Sequence, residues 1–211
     1  MENSLREQIK RTAEELLIRH GYRGFNFRSI AEEIGTTRAN LHYHFGKKDG
    51  LVLEVLDEYA SRTINIYEAI WADASTSLRE KVKRTNEHAY QRYKQFNTPK
   101  DTGSSWSLMI RLRSDADALT PEMQHILQNA TRDFERLVRI GVRLAISSGG
   151  LAADAPEEDI VVLLSNNIHY AGSVTRDHGN FTQLEKLWQA SINLIEKAYA
   201  GPACASAFAA S

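Results

Sequence analysis

The sequence predicts an all-α fold, and three observations lead to it. Apolar residues recur at intervals of three and four over long stretches, as they do along one face of a helix. Capping residues begin these stretches, and Gly or Pro residues end them. No stretch alternates apolar and polar residues in the manner of a half-buried strand. We therefore expect helices throughout and no sheet.

Composition is that of an ordinary globular chain of one or two domains. The 211 residues are 42% hydrophobic and 25% charged. The longest apolar run, Ile160–Leu164, is far shorter than the roughly 20 residues that span a bilayer, and the polar N-terminus has no apolar signal core. The single cysteine, Cys204, excludes an intramolecular disulfide. We expect a cytoplasmic protein with no membrane partner.

The first two helices are marked by their caps. Ser4 and Glu7 form a capping box at the start of the first helix, which Gly21 is expected to end. Asn26 caps a second helix of two turns, whose one-sided apolar stripe ends at Gly35. The stripe consists of Phe27, Ile30, Ala31 and Ile34.

The third helix, RANLHYHF, follows Thr36 or Thr37, both of which are good N-caps. Only Leu41 and Phe45 share an inward face, so this helix buries little and displays most of its side chains. Two short helices joined by a Gly-containing corner are what a helix-turn-helix requires: the second braces the corner and the third enters the major groove. Residues 1–48 also carry nine Lys and Arg against six Asp and Glu, a modest excess that only weakly favours a nucleic-acid partner.

The rest of the chain is predicted to form longer helices. A stripe from Lys48 continues through Trp71 and joins the small N-terminal unit to the remainder of the protein. A helix over 78–96 is expected after a capping box at Ser77, and a shorter one over 106–113 after the loop 97–105. A long helix is expected from Thr120-Pro121 to Gly149-Gly150. Two more are expected over about 156–176, after Asp154, and over 181–199, after Asn180.

Residues 25–52, FNFRSIAEEIGTTRANLHYHFGKKDGLV, closely resemble the DNA-binding segment of the tetracycline-repressor (TetR) family. The shared features are the corner glycine, the capping Thr, the Leu-x-Tyr-His-Phe pattern and Lys48 before Leu51. The resemblance covers roughly the first 55 residues. It implies about nine helices, with a DNA-binding domain over 1–48, an effector-binding and dimerising domain over 49–200, and a flexible tail over 201–211.

The resemblance also implies which residues meet DNA. Base contacts are expected from Arg28, Thr37, Arg38, Ala39, Asn40 and His42. Arg suits guanine, Asn suits adenine, and the Ala methyl suits thymine. Phosphate contacts are expected from Asn26, Tyr43, His44, Lys47 and Lys48.

One position departs from the family pattern. The family usually has Tyr directly after the recognition-helix Leu, whereas here His42 takes that place and Tyr43 is the next residue. This departure leaves open which of the two reaches the DNA, and it would allow a mild pH dependence of affinity. A metal site at His42 and His44 is disfavoured, because residues i and i+2 of a helix point to different faces.

Two further sets of residues are expected in the C-terminal domain. Aromatic walls with a few polar groups are typical of a small-molecule pocket. For each of the residues concerned, ordinary core packing is the alternative. The predicted pocket residues are Tyr90, Tyr93, Trp106, Met109, Asn166, His169 and Tyr170. In the resembled family the last two segments form a four-helix bundle across a two-fold axis. The predicted homodimer interface, with intramolecular packing as the alternative, is Ile160, Leu164, Ile168, Phe181, Leu184, Trp188, Ile192 and Ile195.

The predicted function is that of a transcriptional repressor, without a cofactor, that leaves a palindromic DNA operator when a small-molecule effector binds. One alternative is a regulator controlled by a protein partner, whose C-terminal domain only dimerises. The other is an enzyme using His88, His125 or His169. No nucleophile, base and acid stand at a recognisable spacing, so we do not expect an enzyme.

Overall fold

The computed structural model describes residues 2–202, with side chains from residue 5 onward. These residues form ten α-helices, one short 3-10 helix and no strand beyond two isolated bridges, as the sequence predicted. The α-helices are α1 (Glu2–Gly24), α2 (Phe27–Ile34), α3 (Arg38–Phe45), α4 (Lys48–Trp71), α5 (Leu78–Phe96), α6 (Leu108–Arg113), α7 (Pro121–Ser147), α8 (Glu157–His169), α9 (Ala171–His178) and α10 (Thr182–Ala198). The 3-10 helix spans Ala116–Ala118. Cys204 and the predicted tail beyond Pro202 lie outside the described residues.

The chain folds into two compact units. The first consists of the chain up to Thr63 together with Ser104–Ala130, and the second of Ile64–Gly103 together with the chain from Thr131 onward. The predicted boundary at residue 48 therefore falls inside the first unit, and it remains a prediction of where the DNA-binding part ends. Within residues 2–202, no helix is long and apolar enough to cross a membrane.

The first unit is built on α1. Ile9, Ala13 and Leu17 of this helix are fully buried, and they lie at the spacing of one helical face. Ion pairs flank this core: Arg6 binds Glu54, and Lys10 binds Glu58 at 2.7 Å. The start of α4 is thereby fixed along α1.

The end of α1 is attached to the segment around α6. Gly21 has φ 71° and ψ −178°, a conformation that is essentially restricted to glycine. After this break the Tyr22 amide donates to the buried carboxylate of Asp115 at 2.8 Å, and Arg111 donates to the His20 carbonyl at 3.0 Å. Groups left unpaired by the end of the helix thus find partners about ninety residues away in sequence.

The second unit encloses a buried cation. Lys81 is fully buried, and its ammonium donates to the carbonyls of Ile70 and Asp73 and to the Thr76 hydroxyl. Burial lowers the pKa of Lys81. Because helix ends leave carbonyls unpaired, this ammonium satisfies the C-terminal end of α4.

Several predicted helix boundaries differ from those observed. Helix α1 begins at Glu2, upstream of the expected cap at Ser4. The single helix expected over about 156–176 is two helices, because Tyr170 leaves helical geometry at φ −97° and ψ 1°. Asn180 does not cap α10; its amide donates to the His178 carbonyl, and the preceding helix ends at Gly179 in the left-handed conformation.

We expect Gly21→Ala to be more destabilising than Gly35→Ala. A Cβ at Gly35 would meet nothing within 4 Å, so that change costs only the left-handed backbone, about 1 kcal/mol. A Cβ at Gly21 would overlap the Asp115 carboxylate and lie 2.6 Å from Arg111, so we expect a loss of about 3 kcal/mol. Urea unfolding of both variants measures the difference, and equal losses would contradict the proposed attachment of α1.

Candidate nucleic-acid interface

Helices α2 and α3 form a helix-turn-helix corner with both caps in place. Asn26 accepts a hydrogen bond from the Ser29 amide at 3.1 Å, and Thr37 accepts one from the Asn40 amide at 3.2 Å. Gly35 ends α2 with φ 69°. Leu41 is fully buried and Phe45 nearly so, as predicted, and the other six residues of α3 are exposed or half-buried.

The start of α3 offers the side chains predicted to meet bases. Thr37, Arg38 and Ala39 are all exposed there. Arg28 is also exposed, but its guanidinium is paired with Glu32 on the same helix at 2.7 Å. Exposed pairs of this kind contribute little free energy, so Arg28 is available to another acceptor.

Asn40 is less available than the sequence suggested. It is half-buried, and its amide nitrogen donates to the Thr36 hydroxyl at 3.1 Å. Bidentate recognition of adenine needs both the nitrogen and the oxygen of the side chain. Asn40 must therefore give up or share its Thr36 bond before it can read a base in this manner.

His42 and Tyr43 occupy different environments. The His42 ring packs edge-on against Phe27 of α2, with centroids 4.9 Å apart, and its Nδ1 lies 2.6 Å from the Gly46 carbonyl oxygen. Tyr43 is 77% exposed and contacts the ring of His44 at 5.2 Å. Both residues are exposed, but His42 has contacts with Phe27 and Gly46, whereas the ring contact of Tyr43 is with its neighbour His44.

The predicted phosphate-binding residues fall into two groups. Asn26 and Lys47 are exposed, and His44 is half-buried. Lys48 is instead directed into the unit: its ammonium donates to the Tyr22 carbonyl at 2.6 Å and lies 4.0 Å from the centre of the Tyr22 ring. Burial lowers the pKa of Lys48. This long-range contact carries no signal in the local sequence, which is why it was not predicted.

Tyr22 connects this lysine to the first turn of α4. Its hydroxyl donates to the Asp49 carboxylate at 2.5 Å. Burial and this hydrogen bond raise the pKa of Tyr22 to about 12. The Tyr22 ring and carbonyl therefore bind Lys48 while its hydroxyl binds the next residue along, which fixes the start of α4 against the end of α1.

The residues predicted to form a pocket do not share one environment. Trp106 and Met109 belong to the first unit, and the other five to the second. Tyr90 and Tyr93 pack against Phe181, with centroids 5.0 and 5.2 Å apart. His169 packs against Phe134, whereas Asn166 and Tyr170 are exposed on the surface. Tyr93 and Trp106 are buried and His169 is half-buried, which fits ordinary packing, the alternative interpretation, as well as a pocket wall.

The residues predicted to form the dimer interface lie inside one chain. All eight are at most 8% exposed, so they pack mainly within their own chain, which is the alternative given above. They are Ile160, Leu164, Ile168, Phe181, Leu184, Trp188, Ile192 and Ile195. The predicted residues lie on the face of each helix that packs against the chain's own core. The exposed apolar side chains of the same segments are Val162, Leu163, Tyr170 and Leu194.

A groove of the second unit was not predicted at all. It lies between α5 and α10, has a volume of about 420 Å³, and is lined by apolar Val82, Trp188 and Ile192 with Arg79, Lys83 and Lys186 among its polar residues. The helices that form it are distant in sequence, so no local pattern indicates it.

Two of the histidines considered for catalysis have aromatic neighbours: His88 contacts Tyr67 and His169 contacts Phe134.

Comparisons with known proteins agree with this geometry. Residues 9–55 match the family described as bacterial regulatory proteins, tetR family. The HTH-type transcriptional regulator QacR of Staphylococcus aureus (strain Mu50) is 31% identical over 87 residues, which are 41% of this chain and 42% of QacR. The match therefore spans less than half of that relative's length.

Solved structures resemble nearly the whole chain. A cysteine mutant of the TetR family transcriptional regulator CifR, complexed with 26-bp operator DNA, has a TM-score of 0.68 at 22% identity and covers 89% of this chain and 94% of its own. SmeT in complex with triclosan has a TM-score of 0.72 at 17% identity, covering 94% and 93%. The matched residues 9–55 contain α2 and α3, and the solved structures share the helical fold of the chain. The N-terminal segment thus matches the tetR family, as the motif at residues 25–52 indicated.

Tyr22→Phe should lower stability in a pH-dependent manner. The Tyr22 pKa is raised from 10.0 to about 12, so its stabilising contribution is fully present below pH 10 and is lost as the pH rises towards 12. We expect the variant to lose about 1 kcal/mol of unfolding free energy at neutral pH, and less above pH 10. Urea unfolding across this range measures the difference, with Tyr43→Phe, at an exposed tyrosine, as the control. A difference that does not change with pH would contradict the assignment.

Proposed function

We propose that the protein is a transcriptional regulator that binds a palindromic operator as a homodimer, with α3 of each protomer in the major groove. One observation carries the proposal: α3 is fixed from behind by Leu41 and Phe45 while its other residues face outward. A helix with this distribution can follow a groove without unfolding. The operator-bound structure of CifR and the name of QacR support the same function.

The exposed residues divide into two roles. Arg38 and Ala39 at the start of α3, with Arg28 once it leaves Glu32, are the base readers, because guanidinium and methyl groups recognise guanine and thymine edges. Thr37 and Asn40 contribute to base contact at the same end. Asn26, His44 and Lys47 contact phosphates and set the register on the duplex. The half-buried Lys48 ammonium, which donates to the Tyr22 carbonyl, positions the domain and is less available to a phosphate.

Regulation is proposed to result from a small-molecule effector bound in the helical C-terminal part, which lowers operator affinity and so relieves repression. The triclosan complex of SmeT supports an effector of this size. Ligand and operator affinities are then coupled reciprocally. Such a regulator acts in the bacterial cytoplasm, where its operator lies.

The proposed dimer surface consists of the exposed apolar residues of the second unit. Val162 is 58% exposed and Leu194 66% exposed, and Leu163 and Tyr170 lie on the same two segments. Apolar side chains exposed in this number are usually covered by a partner. A second copy of the chain is the partner that an operator with two half-sites requires.

Operator recognition is tested by capturing genomic DNA fragments with the purified protein and sequencing them. We expect an enriched palindrome. Arg38→Ala should bind it about 10- to 100-fold more weakly and lose base preference at one position of each half-site. Arg136→Ala, at an exposed arginine of α7, is the matched control and should bind as the wild type does. The absence of any enriched sequence at low salt, from folded protein, would refute DNA recognition.

The dimer surface is tested by Val162→Asp combined with Leu194→Asp. Two carboxylates on a covered apolar surface would be desolvated, so we expect a monomer in sedimentation velocity and much weaker operator binding. Gln183→Asp, on an exposed part of α10, is the control and should remain dimeric. A dimeric double variant with unchanged affinity would show that the interface lies elsewhere.

A further inference from the structure

The C-terminal end of the recognition helix is closed by two reciprocal hydrogen bonds. The Gly46 amide donates to the His42 carbonyl at 2.9 Å, and the Gly46 carbonyl lies 2.6 Å from His42 Nδ1. A carbonyl oxygen can only accept, so Nδ1 carries the proton and donates. Gly46 has φ 67°, which favours glycine at this position and turns its carbonyl towards the ring.

The same imidazole connects α3 to α2. Its ring packs edge-on against Phe27, with centroids 4.9 Å apart, and Phe27 is only 7% exposed. Phe27 is the first residue of α2, so the contact joins the start of the bracing helix to the last turn of the recognition helix. One side of the ring and one of its two nitrogens thus have partners within the protein.

Tyr43, the next residue, has no comparable attachment. Its side chain is 77% exposed, and its ring contact is with the neighbouring His44. His42 is exposed as well, but consecutive helical residues point about 100° apart, so the attachment of His42 to Phe27 and Gly46 leaves Tyr43 facing a different direction. A phenol hydroxyl at the exposed end of α3 is well suited to a phosphate oxygen.

We infer that His42 is a positioning residue that holds the recognition helix against α2, and that Tyr43, rather than His42, contacts the DNA. The inference rests on the proposed DNA-binding function. It decides between the two residues that the sequence left open, and it replaces the base contact expected of His42 with a positioning role. Its distinguishing feature is the Nδ1–H donor to Gly46, which a base-reading histidine would not need.

Two isosteric substitutions separate positioning from reading. The Asn amide nitrogen takes the place of imidazole Nδ1, so His42→Asn keeps the donor to Gly46. The Gln amide reaches the place of Nε2, so His42→Gln keeps a group that could face DNA and loses the donor. On the captured operator, we expect His42→Asn to stay within about threefold of wild-type affinity and His42→Gln to lose about tenfold or more. Equal losses, or better retention by Gln, would overturn the inference.

Two further readouts exclude a general folding defect. Across operators with single-base changes, His42→Gln should weaken binding by the same factor at every sequence, because a positioning residue carries no base preference; relaxed preference at one position would overturn the inference. Tyr43→Phe should weaken binding to all sequences by the same factor. It should change the salt dependence of binding less than Lys47→Ala does, because it removes no charge. Wild-type affinity of Tyr43→Phe would refute the role given to its hydroxyl.

A measurement without DNA keeps this inference distinct from the proposed function. Long-range ¹H–¹⁵N NMR of the free protein identifies which imidazole nitrogen of His42 is protonated, with His42→Asn used to assign the signal. We expect the Nδ1–H tautomer. The Nε2–H tautomer would overturn the positioning role even if the operator is bound, and the expected tautomer without any captured operator would refute only the proposed function.

Discussion

The orientation of the recognition helix is the constraint on which the rest of the structure depends. Only Leu41 and Phe45 of α3 are buried, and two side chains on one stripe leave the helix free to roll or fray. The remaining restraints act at its ends: Thr37 caps the start, and Gly46 closes the last turn. A helix that must expose most of its surface therefore depends on hydrogen bonds at its ends more than an ordinary core helix does.

Behind this corner, the surroundings of Tyr22 hold the first unit together. Its amide binds Asp115, its carbonyl binds Lys48 and its hydroxyl binds Asp49. Two other parts of the chain, the start of α4 and the segment at Asp115, thus converge on one residue directly after a glycine break. Each hydrogen bond is modest by itself, but leaving any of these buried or half-buried groups unpaired would cost more than the bond contributes. The arrangement is therefore sensitive to change at Gly21.

Local features of the fold could be predicted from sequence, and long-range ones could not. The caps at Asn26, Thr37 and Ser77 depend on residues three apart, so the printed sequence contains the whole interaction. The contact of Lys48 with Tyr22 depends on a residue in another helix, and no periodicity indicates it.

The absence of long-range information in the sequence also explains why the dimer surface and the pocket could not be predicted residue by residue. Hydrophobic periodicity shows that α8 and α10 have apolar residues on more than one face, but not which face meets the chain's own core. Ile160 and Trp188 proved to be interior, and Val162 and Leu194 exposed. Aromatic content alone likewise could not distinguish a pocket wall from the packing of Tyr93 against Phe181. A stripe of apolar residues identifies a helix, but the tertiary structure decides which surface that stripe packs against.

The exposed apolar residues and the short recognition helix both favour a dimer. A good base contact contributes about 1 to 3 kcal/mol of discrimination, and α3 exposes only a few side chains able to make one. Specific regulators reach affinities of about 10⁻⁸ to 10⁻¹¹ M, which so few contacts do not supply from a single half-site. Two linked copies engage both half-sites together. Val162 and Leu194 would favour nonspecific association in a monomer. In the proposed dimer, they would form the surface through which two copies of α3 act together.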